Sequence, residues 1–544
     1  MALRRISPEL RDAWAAAGWW SDQPLHRAVD DTAAVAPDRL AVADQHDRYT
    51  YAELVRHSSA LARWLLDQDL RPGTPIALQS ANRVAIPLVH LACDRADLTF
   101  LPVPDAWRRT ELRHVLERSG AAVFLVPPAC DGVDAPALAR ELREELPDLR
   151  IVGTTEGGAL DVALDEILAG SDGAPCSVER DADAPRLAMA TSGTTELSRL
   201  SLWTANNLRF FLQQFGLAVG LVPGDVALGV APANSGSTGY VFPVLAPLLH
   251  GASSVLLEHW SPPQALELLQ REAATLATAV PTQLIKMLQD PGLAEHDYSS
   301  LRVFNNAGAP LAPQAATEVE RVFGCTIQTV YGASDGGVPV MTRVGDPPEK
   351  RFTTVGRTLP ATELRIAGPD MAALPPGEVG EVLWRNPTKT FGYLNDAERT
   401  DSMFWDDGFY RSGDLGVVDE DGYLRIVGRA KDVIIRGGQN LSPREIEEVI
   451  ATEPNVSEVA VVGIPDPVYG ERACACIVLR AGGSLSLDGL SEFLAAQDLV
   501  KYKWPERLEL FTELPKSSGA KVSKVELRAA VLARAEHDQG GERT

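Results

Sequence analysis

Apolar strand-like segments alternate with helix-patterned ones along most of this chain, and that alternation restricts the fold more than any other feature. Tyr49 to Asp67 has helical spacing, with Leu54, Leu61, Leu65 and Leu66 recurring on one side. Pro75 to Leu78 reads as a strand, Ala85 to Cys93 as a helix, and Thr99 to Val103 as a strand ended by Pro104. The rhythm returns at Ala121 to Val126, Arg150 to Val152 and Ser254 to Leu257. Each strand and each helix has an apolar side to bury, so a β/α alternation predicts a layered α/β body. The 544 residues are 45% hydrophobic, enough for several cores.

The pattern changes near Gly422. GYLRIVGRAKD reads as a strand running into a turn, followed by a turn at Arg436 to Asn440 and a helix at Pro443 to Thr452. Strands at Val459 to Val462 and Ala473 to Leu479 and a helix at Leu487 to Gln497 complete the stretch. Ser442 is placed to cap the first helix, Pro443 suits its first turn, and Glu445 would complete a capping box. The expected organisation is a large N-terminal multi-layer α/β body, residues 1–429, and a small mobile α+β C-terminal domain, residues 430–544.

A formal net charge of -23 disfavours coating of nucleic acid or anionic membrane, because the long-range field repels phosphate. Any nucleotide must be held by local backbone donors and a few cations. The basic start MALRRISPEL lacks an apolar region, and the longest uncharged apolar run, around Val241 to Leu249, is far short of a membrane span. The six cysteines are scattered, and Cys474 and Cys476 fall on one face of a strand-like run, as buried thiols do. The nine histidines show no zinc spacing. A cytoplasmic protein is expected.

The most informative string is ATSGTTELSRL, from Ala190 to Leu200. An apolar strand feeds Thr191, Ser192, Gly193, Thr194 and Thr195, whose hydroxyls and backbone N–H groups can converge on phosphate oxygens. The alternative is a solvated turn, and no Walker A spacing is present. Further on come NNAGAPL (Asn305 to Leu311), Tyr331-Gly332-Ala333-Ser334-Asp335, YRSGDL (Tyr410 to Leu415), GRAKD (Gly428 to Asp432) and LPKSSGAKVSK (Leu514 to Lys524). In this order and spacing the chain resembles the acyl-adenylate-forming superfamily: acyl-CoA synthetases, aryl-acid AMP ligases, peptide-synthetase adenylation domains and luciferases. The likeness runs from about Tyr49 to Arg528 and is nearest to stand-alone acyl-CoA ligases.

That resemblance implies ATP, Mg²⁺ and CoA as a co-substrate. It puts Thr191 to Thr195 over the β- and γ-phosphates, and adenine between Gly308-Ala309-Pro310 and Tyr331, with Gly332 beside it. Ser334 takes the place of a threonine at the α-phosphate and Asp335 that of a glutamate holding Mg²⁺. Asp414 corresponds to the carboxylate that accepts the ribose hydroxyls, Arg429 to the arginine at the ribose-phosphate end, and Ile426 packs near the nucleoside. Lys521 is the implied catalytic residue. The substrate carboxylate is itself the nucleophile, so adenylation needs charge stabilisation and positioning rather than a general base. Lys516 and Lys524 are the nearest competitors. Lys431 is the implied hinge between two domain orientations, and Gly438 would line the pantetheine path, where a glycine permits close approach.

The chain departs from the family pattern. Glu196, Ser198, Arg199 and Leu200 replace glycine, proline, lysine and glycine of the phosphate loop. Asp335 is one methylene short, and Ala520 precedes Lys521 where glycine is usual.

The acid pocket is expected around Asn234 to Tyr240, Asn305 to Gly308 and Gly332 to Gly337, with Asn234, Ser235, Asn306 and Gly336 as acid-binding candidates. Ser235 stands where amino-acid-activating domains carry aspartate and hydroxybenzoate ligases asparagine, which disfavours both substrates. The small NSGSTGY segment and Gly336-Gly337 suggest a bulky apolar acid; the alternative is that they only allow close backbone packing. The function expected is ATP-dependent acid activation followed by transfer to CoA. Adenylation alone, loading of a carrier protein, or a silent nucleotide-binding protein remain open.

Overall fold

The computed structural model describes residues 7–130, 132–154, 161–170, 174–179, 181–191, 199–234, 236–388, 390, 392–405, 408–436, 439–497, 499–516 and 522–541. The chain divides into two compact units. One comprises Met1–Thr191, Leu197–Leu364 and Trp384–Tyr410; the other comprises Ser192–Glu196, Arg365–Leu383 and Arg411–Thr544.

The larger unit contains two extended sheets, as the β/α alternation requires. The nine-stranded sheet runs Arg357–Thr358, Gly337–Met341, Thr326–Ala333, Val303–Asn306, Leu276–Ala279, Val226–Gly229, Ser253–Leu256, Leu40–Ala43, Arg48–Thr50. Its central strands pair in parallel, with Thr278 opposite Asn305 and Asn305 opposite Gln328. The seven-stranded sheet centres on Pro75–Ser80, which pairs in parallel with both Thr99–Pro104 and Val123–Val126. Helices pack on these sheets and bury long apolar stripes. Tyr51–Leu66 begins where the sequence signals it: Thr50 caps it in a reciprocal capping box with Glu53 and buries Leu54, Leu61 and Leu65. The apolar run at Val241 is a buried π-turn, Val241–Leu245, continuing into Ala246–Leu249. Among the described residues no helix is long and apolar enough to cross a membrane.

The smaller unit has its own core. The strands Gln439–Leu441, Ile434–Arg436, Gly470–Leu479 and Val456–Asp466 lie side by side, and Arg507–Phe511 pairs in parallel with Gly470–Leu479. Ile434, Ile446, Ile450, Val461, Ile477, Leu490 and Leu494 are buried together under this sheet. Ser442 caps Pro443–Ile450 by accepting from Glu445 N. The expected return bond of a capping box is absent, because the Glu445 carboxylate instead accepts from Lys503 Nζ at 2.5 Å. Cys474 and Cys476 are buried and free, as their shared strand face predicts.

One buried titrating group links this packing to pH. His90, on Ala85–Arg95, is fully buried, stacks on Phe100 with ring centroids 5.2 Å apart, and shares a 2.7 Å hydrogen bond between Nδ1 and the Tyr240 hydroxyl. Burial lowers its pKa to about 4; Asp94 raises it and Arg186 lowers it by lesser amounts. The unfolded chain binds a proton here near pH 6.5 while the folded chain does not, so stability is full above that pH and lost as pH falls toward 4. The loss is at most about 1.4 kcal/mol per pH unit. Melting temperatures of the wild type and His90→Gln should therefore diverge least near pH 4 and most above pH 6.5, with the shallower pH dependence in the variant.

Candidate functional site

Parallel pairing brings the candidate residues of the larger unit to one edge. Gly308 lies two residues past Asn306 and Tyr331 two residues past Thr329, and Asn306 and Thr329 are register partners on adjacent parallel strands. The turn at Gly308-Ala309-Pro310 and Tyr331 thus both follow the last parallel pair of these strands, at the edge where open α/β sheets bind ligands, with Tyr331 itself still paired antiparallel to Val340. Asn306 Nδ2 donates to Ala309 O at 3.4 Å, tying this turn to its strand. Tyr331 is half-buried and meets Trp384 edge-on, centroids 6.0 Å apart. Asn234 follows the neighbouring strand Val226–Gly229 and is buried, with Asn82 holding its approach by accepting from Ala233 N and donating to Ala231 O.

The segment from Ser334 to Gly336 is fixed by its carbonyls. Trp203 Nε1 donates to Ser334 O at 2.9 Å, the Thr390 hydroxyl to Asp335 O, and Trp384 Nε1 to Gly336 O at 2.8 Å. With the backbone held, the Asp335 carboxylate is clamped by two phenols. Tyr410 Oη donates to Oδ1 at 2.8 Å and Tyr393 Oη donates to Oδ2. Burial first, and then the Asp335 charge, raises the pKa of both tyrosines, so both stay protonated donors. The Arg199 guanidinium lies over the Tyr393 ring, 5.6 Å from its centroid. It begins the strand Arg199–Thr204, and Thr191 pairs with Arg199 at the end of Pro185–Thr191. Ser192, Gly193, Thr194 and Thr195 lie outside the described residues, as do Glu196 and Ser198.

Asp335 suits a hard cation. A carboxylate offers roughly four acceptor positions, so two phenols leave capacity, and Mg²⁺ habitually takes one or two carboxylates and completes its shell with phosphate and water. Among the described residues no cluster of three or more His, Cys, Asp or Glu could hold a metal alone.

Two of the small residues do not open volume. A Cβ on Gly336 would lie 2.4 Å from the Tyr410 ring. Gly337 has φ +82°, and a Cβ there would lie 2.4 Å from Thr388 O. Gly336 and Gly337 therefore serve close packing, which corrects the reading that this pair leaves room for a bulky acid. Ser235 lies outside the described residues.

In the smaller unit Asp414 and Arg429 are register partners on the antiparallel strands Tyr410–Val418 and Leu424–Arg429. Arg429 Nε contacts Asp414 Oδ1 at 2.8 Å; Asp414 is nearly buried and Arg429 half-exposed. Ser412 Oγ accepts from Asp414 N and donates to Val382 O, fixing the strand at this point. Ile426 is buried on the second strand. Lys431 is exposed in the turn Ala430–Asp432 that follows. Gly438 and Lys521 lie outside the described residues. Their flanks are described: Ile434–Arg436 pairs antiparallel with Gln439–Leu441, and Lys516 bridges Val522. The two competitors of Lys521 are engaged in ion pairs, Lys516 with Glu458 at 3.2 Å and Lys524 with Glu447 at 2.6 Å.

Sequence reasoning missed the clamp. Tyr410 belonged to a recognised motif, but nothing in YRSGDL shows where its hydroxyl points; Tyr393, Trp384, Trp203 and Thr390 carried no signal at all. It also missed Thr278, whose alignment with Asn305 depends on strand register.

Comparison with known proteins agrees with this arrangement. Residues 29–394 match the family model of the AMP-binding enzyme, and residues 445–521 match that of the AMP-binding enzyme C-terminal domain. The chain is 31% identical to the medium-chain fatty-acid–CoA ligase of Escherichia coli strain K12, covering 98% of this chain and 95% of the relative. It is 32% identical to a salicylyl-CoA synthase / salicylate adenylyltransferase of a Streptomyces species, covering 97% of each. The crystal structure of ATP-bound MatB from Rhodopseudomonas palustris superposes with a TM-score of 0.83 at 28% identity, covering 93% of this chain and 99% of that one. The AMP-binding model over residues 29–394, the C-terminal domain model over residues 445–521 and relatives matched along nearly their whole length place this chain in the AMP-binding enzyme family, the acyl-adenylate-forming ligases.

Proposed function

We propose that the protein uses ATP to activate a carboxylic acid as acyl-AMP, releasing pyrophosphate, and then passes the acyl group to the thiol of CoA. The observation that carries the reading is the register of Asn306 with Thr329, which brings Gly308-Ala309-Pro310 beside Tyr331 just past the paired parallel strands. The ATP-bound state of the MatB structure and the CoA ligases among the relatives support it. In the first step a carboxylate oxygen attacks the α-phosphorus and the bond to the β-phosphate breaks, its electrons leaving with pyrophosphate. In the second the thiolate attacks the acyl carbon and AMP departs with the carboxylate oxygen.

The chain's own residues bind and position. Thr191 to Thr195 hold the β- and γ-phosphates, and Gly308-Ala309-Pro310, Tyr331 and Gly332 border the adenine. Ser334 binds the α-phosphate. Asp414 accepts the ribose hydroxyls, with Arg429 and Ile426 beside them. Asp335 would hold Mg²⁺, which when bound neutralises charge on the phosphates. Lys521 bridges carboxylate and α-phosphate, where its charge lowers the barrier most. Residues 430–544 carry Lys521 as a lid that turns at Lys431 and presents Gly438 to CoA. Asn234, Ser235, Asn306 and Gly336 border the acid. With Gly239, Gly336 and Gly337 packed, room for a large acid rests on Gly236 and Gly308, where a Cβ would meet nothing nearer than 3.5 Å. The relative that acts on a medium-chain fatty acid supports an extended apolar body.

Acid-dependent exchange of labelled pyrophosphate into ATP, with and without CoA, is the test. Exchange and thioester formation are expected; absence of exchange over a broad panel of acids would show a silent binding protein. Lys521→Ala should reduce exchange on the order of 100- to 1000-fold with unchanged circular dichroism. Tyr410→Phe keeps the ring against Gly336 and Trp384 but removes one donor to Asp335. A Mg²⁺ titration should show exchange about 5- to 30-fold weaker and a higher Mg²⁺ requirement, the scale of one lost charge-assisted hydrogen bond.

A further inference from the structure

Thr278 and Asn305 present two unpartnered oxygens inside the larger unit. Both residues are 0% exposed, and they are register partners on the parallel strands Leu276–Ala279 and Val303–Asn306. Strand alternation puts them on the face of Leu276 and Val303, which belong to the largest core, and opposite Ala277 and Phe304, which belong to another. On that apolar face Thr278 Oγ1 and Asn305 Oδ1 have no hydrogen-bond partner among the described residues, and they do not bond each other.

The Asn305 carboxamide has one orientation. Gln328 donates through Nε2 to Thr329 O at 3.1 Å and Thr342 O at 2.8 Å, which leaves its Oε1 as an acceptor. Asn305 Nδ2 donates to that oxygen at 2.5 Å. Asn305 Oδ1 is therefore the bare end, and turning the side chain over would oppose two amide oxygens. Buried polar atoms are almost always paired, and a ligand group that bonds to both of these oxygens would complete the set. No carboxylate or cation occurs in Val226–Gly229, Leu276–Ala279, Val303–Asn306 or Thr326–Ala333, so a charged ligand group would be uncompensated there. Asn305 is the last residue but one of its strand and lies three residues before Gly308, at most roughly 10 Å along the chain. The group it meets is set below the turn where activation is proposed to take place.

We infer that the acid carries an uncharged hydroxyl or amino group far from its carboxylate, which donates to Asn305 Oδ1 and accepts from, or donates to, Thr278 Oγ1. This rests on the acid-activation reading and narrows its substrate class from any extended apolar acid to one with a distal donor. Thr278 and Asn305 are specificity-determining residues, and a site built to bond such a group rejects the analogue lacking it.

The experiment compares kcat/KM for pyrophosphate exchange with 4-hydroxycinnamate against cinnamate and 8-hydroxyoctanoate against octanoate. Binding of the corresponding unreactive acyl-sulfamoyl adenosines is measured by calorimetry alongside. The wild type should favour the hydroxylated member of at least one pair 10-fold or more, in exchange or in binding. Thr278→Val, which keeps shape and removes only the hydroxyl, and Asn305→Leu should reduce that ratio below 3-fold. Preference for the deoxy member of both pairs, no preference in either, or an unaltered ratio in Thr278→Val would overturn this inference and leave acid activation standing. Neither exchange nor binding of any of the four acids, nor of any acid in a broad panel, would overturn acid activation and this inference together.

Discussion

Parallel pairing of Leu276–Ala279, Val303–Asn306 and Thr326–Ala333 is the constraint on which the larger unit's site depends. Parallel strands must return through helical crossovers, so each strand ends at the same edge and each turn there is free to carry a functional residue. Two chain segments thereby come together, one carrying the turn Gly308-Ala309-Pro310 and the other Tyr331 with Asp335 four residues on. An antiparallel arrangement would have sent alternate segments to the opposite edge.

The edge is held by side chains that perform no chemistry. Trp203, Thr390 and Trp384 bind three successive carbonyls, and Tyr393 and Tyr410 hold both oxygens of Asp335. A carboxylate one methylene shorter than the family's usual glutamate has fewer rotamers, and two phenols narrow them further. The clamp thus fixes the orientation of a carboxylate that looks weakened in sequence by its shorter side chain. Deeper in the same sheet the logic is reversed. Thr278 Oγ1 and Asn305 Oδ1 have no partner among the described residues, at a cost of about 1–3 kcal/mol each that a bound ligand group would relieve.

Much of the fold was legible because its signals are local. The apolar spacing of Tyr49 to Asp67 gives the helix Tyr51–Leu66, Pro75 to Leu78 and Thr99 to Val103 read as strands and are strands, and the C-terminal α+β pattern has its own buried core. Signals failed where a distant group competed. Glu445 was expected to close a capping box, but Lys503 takes its carboxylate from 58 residues away. Gly336 and Gly337 looked like space, yet Tyr410 and Thr388 fill it. Register partners such as Thr278 and Asn305 are invisible in one dimension, because nothing in LATA or VFNN fixes which residue stands beside which. The candidate site was legible through the order of its motifs, while the contacts that hold the site were not.

Transfer of oxygen from acid to nucleotide tests the central claim most directly. With the carboxylate labelled in ¹⁸O and turnover run to completion, an acyl-adenylate route delivers one label to the phosphate of AMP and none to pyrophosphate. AMP released without label, or label found in inorganic phosphate, would contradict attack of the carboxylate on the α-phosphorus and the account built on it.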